Sequence, residues 1–215
     1  INSPTHQLKN SLTHQLKNSP THQLTNPLTQ KNQQLIKDLC DWEINREQFI
    51  EKTAFKANYE QLRYLLLSVS VKDYLDENDY NQYFDTILWK LPNSMSKEED
   101  EALFQEFLLC DFHSEHENMA SAFQSTFNNN IENIAILLKA IDNIPEYLEP
   151  EDFKYPYIRK IIYAIGAQPQ PESLLALEKL ASETNDIKIK ELALHQLKKR
   201  KELGRWEYEK NLESK

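Results

Sequence analysis

The feature that most constrains this chain is the punctuation between residues 155 and 199. Ile158, Ile161, Ile162 and Ile165 fall at i, i+3, i+4 and i+7, which puts all four on one face of a helix. Gly166 stands where a helix takes a left-handed C-terminal residue, and Pro169 and Pro171 forbid continuation. A second helix is predicted from Pro171, with Leu174, Leu175, Leu177, Leu180 and Ala181 inward. Asn185 and Asp186 interrupt it, and Asp186 is placed to cap a third helix in which Ile187, Ile189, Leu192, Ala193 and Leu197 repeat the apolar spacing. Helices alternating with short turns are the pattern of a solenoid, where each hairpin buries its apolar face against its neighbours. The expected fold is all-α, a right-handed α-α superhelix.

These residues resemble the HEAT-repeat family. The resemblance is carried by Arg159-Lys160, Tyr163-Ala164-Ile165-Gly166, Pro171-Glu172, Leu177 with Leu180, and Asp186 opening the next repeat, and it extends back to His116. His116-Glu117-Asn118 and Glu146-Tyr147-Leu148-Glu149 are similar to a group of small bacterial HEAT-like proteins. Related helical repeats occur among proposed toxin-immunity proteins, so the resemblance implies a protein-binding, toxin-neutralising role. Some HEAT-like proteins act on DNA bases or attach pigments, so it also leaves catalysis open.

Residues 2–31 are a tandem octapeptide that places His6, His14 and His22 eight residues apart. Prolines interrupt the first and third copies, and isolated histidines in such a chain make a weak metal site. Residues 1–32 are therefore expected to be a disordered N-terminal tail, 33–205 a HEAT-like domain, and 206–215 a C-terminal tail. Only Gly166 and Gly204 occur in 215 residues, which argues against glycine-rich phosphate loops and hairpin-rich β structure. Cys40 and Cys110 belong to no CxxC motif and are expected to be thiols. No apolar run approaches the ~20 residues that span a bilayer. The expectation is a cytoplasmic monomer with no membrane partner and no cofactor.

In the first half, Leu35, Ile36, Leu39 and Trp42 form one predicted face, and Asn45 is placed to cap a helix carrying Phe49 and Ile50. An apolar helix is predicted over 59–71, a polar turn over 76–79, and a helix over 80–91 that Pro92 ends. Ser96-Lys97-Glu98-Glu99 reads as a capping box opening the next helix, and two more are predicted over 119–127 and 131–141.

The net charge of -9 is uneven: between residues 98 and 152, fourteen Asp and Glu face one cation, Lys139. Such a field repels phosphate and steers cationic partners, so the expected partner is a basic protein rather than nucleic acid. The candidate partner-binding residues are Glu146, Tyr147, Glu149, Glu151, Asp152, Tyr155 and Tyr157, because acid beside aromatic receives Lys and Arg through charge and cation–π contact. The alternative is an inter-repeat loop whose tyrosines cover the edge of the core. His113 and His116, at i and i+3 beside Glu115 and Glu117, are the candidate metal ligands, against a reading as packing and capping groups at a helix start. The expected function is a non-catalytic protein-binding module. Its alternatives are an enzyme using the His113 to Glu117 cluster or the Glu146 to Asp152 carboxylates, and a scaffold that self-associates through its end near Trp206 and Tyr208.

Overall fold

The computed structural model describes residues 30–69 and 77–203. His6, His14 and His22 with the rest of residues 1–29, Val71 and Asp76, and the C-terminal Trp206 and Tyr208 lie outside the described residues. The elements are α1 (Gln30–Cys40), α2 (Arg46–Lys52), α3 (Tyr59–Val69), α4 (Glu77–Asp85) continuing into a π-helical turn (Thr86–Lys90), and α5 (Lys97–Phe107). There follow α6 (His116–Ser125), α7 (Glu132–Asp142), a 3₁₀ turn (Glu146–Leu148), α8 (Glu151–Ala167), α9 (Glu172–Glu183) and α10 (Ile187–Leu203). The described residues contain no strand, only an isolated bridge between Ala57 and Asn93. None of their helices is long and apolar enough to cross a membrane. Contacts cluster into two compact units, one up to Leu103 and one from Phe104, the division falling inside α5.

In the first unit the caps form as the sequence predicts. Asn45 and Gln48 exchange side-chain and backbone hydrogen bonds, both 2.8 Å, at the start of α2. Ser96 and Glu99 do the same at α5, with distances of 2.7 and 3.2 Å. Leu35, Ile36, Leu39, Phe49, Leu62, Leu66 and Leu67 are buried. Trp42 is not: it is 68% exposed, with φ 62° in the reversal between α1 and α2, and the Lys90 Nζ lies 3.4 Å from its ring centroid. The chain has left the helix before Trp42, so the helical spacing no longer applies to it. Conversely, Gln30 to Asn32, which the sequence assigns to the tail, open α1.

The second unit is built on α8, which packs against α6, α7, α9 and α10. Its Tyr157, Ile158, Ile161, Ile162, Ala164 and Ile165 are all fully buried. The helix begins at Glu151, with Pro150 as its N-cap and Pro156 inside it, so residues 151–157 are its first turns rather than a loop. It also continues through Gly166 to Ala167. Gly166 is therefore not a left-handed terminator. A Cβ there would stand 2.9 Å from Gln196 Cγ and 3.0 Å from Cδ, so the missing side chain makes room for α10.

The inward face of α9 is Ser173, Leu177 and Ala181, and that of α10 is Ile189, Ala193, Gln196, Leu197 and Arg200. Leu175 and Ile187, predicted inward, are 59% and 72% exposed, because each lies off its helix's packed stripe. Buried amides close the ends of the layer. Gln168 Nε2 donates to the carbonyls of Phe123 at 2.9 Å and Ala164 at 3.2 Å, and Asn133 Nδ2 donates to Phe127 O at 2.8 Å. The Phe123 carbonyl lies in the last turn of α6 and that of Phe127 just beyond it, whereas that of Ala164 lies in the last turn of α8.

Candidate functional site

The seven residues expected to bind a partner fall into three environments. The first is buried and centres on the histidines. His113 lies in the turn before α6 and His116 is the first residue of that helix, so their imidazoles stack with centroids 4.2 Å apart and planes 12° from parallel. His113 Nε2 donates to Phe107 O at 2.8 Å, while its Nδ1 accepts the Glu115 N–H at 3.1 Å. His116 Nε2 donates to Cys110 O at 2.6 Å, and its Nδ1 accepts from the Tyr147 hydroxyl at 3.0 Å. A carbonyl only accepts and an amide N–H only donates, so these partners assign His113 as the neutral Nε2–H tautomer; at His116 the Cys110 carbonyl fixes the proton on Nε2, and burial, which disfavours the charged ring, leaves Nδ1 to accept from the hydroxyl.

Burial sets the protonation of this cluster. It lowers His113 well below the ordinary histidine value, helped by the neighbouring His116 against the Phe107 carbonyl bond. It lowers His116 to about 4, against its bond to Cys110 O. The two carbonyls belong to the C-terminal end of α5 and the turn beyond it, so the pair closes a helix end. Each of the four ring nitrogens has a hydrogen-bonding partner, and metal coordination would displace one at every site. Among the described residues no group of three or more His, Cys, Asp or Glu is placed to hold a metal ion.

Tyr157 belongs to this buried environment: it is fully buried in α8 with its ring edge-on to His116, and no partner side chain reaches it. Tyr147 is 38% exposed, with its hydroxyl turned in to His116. Burial raises the pKa of both phenols. Tyr147 thus lies at the edge of the core and Tyr157 inside it, and the segment that carries Tyr155 and Tyr157 is helix rather than an inter-repeat loop.

The second environment is a closed brace between α8 and α10. The Tyr155 hydroxyl donates to Asp186 Oδ2 at 3.0 Å, Lys188 Nζ donates to Glu151 at 2.9 Å, and the same Nζ lies 4.3 Å from the Tyr155 ring centroid. Asp186 also caps α10 by accepting from the N–H groups of Lys188 at 2.9 Å and Ile189 at 3.2 Å. Burial alone would raise this carboxyl, but the donors from Ile189, Tyr155 and Lys188 outweigh it and its pKa is lowered. Acid beside aromatic does receive a lysine here, and the lysine is the chain's own.

The third environment is open. Glu146, Glu149 and Asp152 are exposed, and their carboxylates make no hydrogen bond or ion pair among the described residues. Phe153, beside them in the first turn of α8, is 55% exposed.

No family model, curated protein or solved structure matches this chain.

The functional reading therefore rests on the geometry of these environments. Sequence reasoning left out Lys188 and Asp186 as partners of Tyr155, and Lys160, whose ammonium pairs with the half-buried Glu117 carboxylate. These contacts join residues 31 to 43 apart in the chain, so no local periodicity signals them. Phe153 carried a local signal, an aromatic among acids, and its exposure follows only from which face of α8 is packed.

Proposed function

We propose that this protein is a binding module that presents Glu146, Glu149, Asp152 and Phe153 to a cationic segment of a partner protein. The supporting observation is the open patch itself: three carboxylates without ion-pair partners beside an exposed phenylalanine. Unpaired carboxylates keep their full attraction for a cation, and an exposed aromatic adds apolar area and a π face to which Lys or Arg adheres. Glu151 and Tyr155 contribute less to recognition than composition implies, because Lys188 already occupies them.

The architecture of this reading is a HEAT-like right-handed solenoid. Its support is that α8 touches the two helices before it and the two after it, the neighbour pattern of stacked hairpins. Neutralisation of a basic toxin is the narrower form, in which the acidic patch covers a basic active site.

The test is the affinity of a fluorescein-labelled Lys/Arg-rich peptide for the full chain, measured by anisotropy at two salt concentrations. Three exposed charges at about 0.5 kcal/mol each make the Glu146→Gln, Glu149→Gln, Asp152→Asn variant about tenfold weaker at low salt. Phe153→Ala weakens binding at both salt concentrations. If neither variant changes the affinity, the patch is not the recognition surface and the proposal fails.

A further inference from the structure

Of the three carboxylates in the open patch, Glu146 opens the 3₁₀ turn and Glu149 closes it, whereas Asp152 stands in the first turn of α8. Residues three apart eclipse in a 3₁₀ turn at a rise of ~6 Å, so the two turn carboxylates leave the backbone on the same side. The backbone of the turn holds itself only weakly. The Leu148 N–H donates to Pro145 O at 2.8 Å and the Glu149 N–H to Glu146 O at 3.1 Å, and such i to i+3 bonds are of poorer geometry than those of an α-helix. Two side chains tie it to the rest of the unit: Leu148, which is buried, and Tyr147.

The Tyr147 tie ends on a fixed acceptor. Its hydroxyl donates to His116 Nδ1 at 3.0 Å, and the ring of His116 is itself held by the Cys110 carbonyl at 2.6 Å, by the stacked His113 and by the edge of Tyr157, with centroids 6.3 Å apart. Burial keeps that ring neutral, so Nδ1 remains an acceptor at neutral pH. The two carboxylates whose charge reaches the Tyr147 phenol are already engaged, Glu117 by Lys160 and Glu115 by Asn118 Nδ2 at 2.9 Å. Without the hydroxyl bond, the turn would keep Leu148 as its remaining side-chain anchor among these contacts.

We infer that His116 is a positioning residue for the acidic patch: through the Tyr147 hydroxyl it holds the turn so that Glu146 and Glu149 are presented together to a cationic segment. The inference rests on the reading of the patch as the recognition surface. Its energetic basis is preorganisation, since a turn already fixed loses less conformational freedom when a partner binds. The tie acts on Glu146 and Glu149 and leaves out Asp152, which the first turn of α8 places. That asymmetry distinguishes positioning from a general structural role. A tyrosine that only covered the core would couple to all three carboxylates alike, or to none.

The probe is the fluorescein-labelled Lys/Arg-rich peptide, titrated into the full chain at low salt. Tyr147→Phe keeps the ring and removes only the inward hydroxyl, and it should weaken binding about threefold. In the Glu146→Gln, Glu149→Gln background the same substitution should change the affinity by less than about 1.5-fold, whereas in the Asp152→Asn background the loss of about threefold should persist. His116→Asn offers a side-chain oxygen in place of Nδ1 and should bind within about twofold of the parent. His116→Ala should bind as weakly as Tyr147→Phe, although both His116 variants lose the stacked ring. Thermal melts show which variants are folded at the assay temperature, and if the His116 variants are not, the Tyr147→Phe cycles decide alone. The inference is overturned, with the patch reading intact, if Glu146→Gln, Glu149→Gln weakens binding and Tyr147→Phe does not, or if Tyr147→Phe has the same effect in both backgrounds. If Glu146→Gln, Glu149→Gln itself binds as the parent does, the patch reading fails and this inference fails with it.

Discussion

His116 takes up a proton only near pH 4 in the folded chain, because its ring is buried between His113 and Tyr147. The unfolded chain takes up the same proton near pH 6.5, so between the two values the unfolded state binds more protons. The contribution is complete above about pH 6.5 and falls as pH drops through the window, and the loss reaches about 3 kcal/mol by pH 4. His113 acts in the same direction. Urea unfolding of the parent at pH 7 and pH 5 should show this loss, and His116→Gln should show a shallower pH slope. Equal slopes would mean that His116 is not the linked group. At Gly166 two effects oppose each other: alanine favours a helix by about 1 kcal/mol, whereas its methyl would press on the boxed-in side chain of Gln196. We expect the clash to win, with Gly166→Ala destabilising by about 1 kcal/mol and Gly166→Ala with Gln196→Ala recovering that loss in a double-mutant cycle of denaturant midpoints. The i, i+3 histidine spacing was legible in sequence. The stacking and tautomers were not, because they depend on carbonyls of α5 and on a tyrosine 31 residues away.

Helix starts were legible wherever the cap is local. Asn45, Ser96 and Asp186 each bond amides within three residues, so sequence spacing alone finds them. Asp186→Ala should cost about 1–2 kcal/mol through the lost cap of α10, and Asp186→Asn clearly less, which chemical denaturation would measure. The ends of α8 were not legible. Gly166 reads as a boundary, yet it lies inside the helix, as does Pro156, because packing on four neighbouring helices holds it through two poor helix formers. Gln168, one residue beyond α8, carries no motif, although its amide closes the end of α6. Gln168→Leu leaves the Phe123 carbonyl buried without its partner and should cost about 2–3 kcal/mol in the same measurement. A cost under about 0.5 kcal/mol would show that those carbonyls find other donors.

At the scale of the whole chain, charge decides how salt acts. Fourteen acids face one cation over residues 98–152, and the Lys188–Glu151 and Lys201–Glu178 pairs are solvent-exposed, so repulsion outweighs the attraction that salt would screen. The melting temperature should rise between about 20 and 300 mM NaCl, and a fall would mean that ion pairs dominate. The sequence by itself determined the all-helical class, most of the caps, the acidic middle and the buried face of Ile158, Ile161, Ile162 and Ile165. Each of these depends on residues within one or two turns, or on composition. Only the tertiary structure decided that the acidic and aromatic run divides into a buried cluster, a closed brace and an open patch. It also decided that the Tyr147 hydroxyl meets His116. Such outcomes turn on which helix face is packed and which distant side chain arrives there, and contacts across 30 or more residues leave no period in the chain.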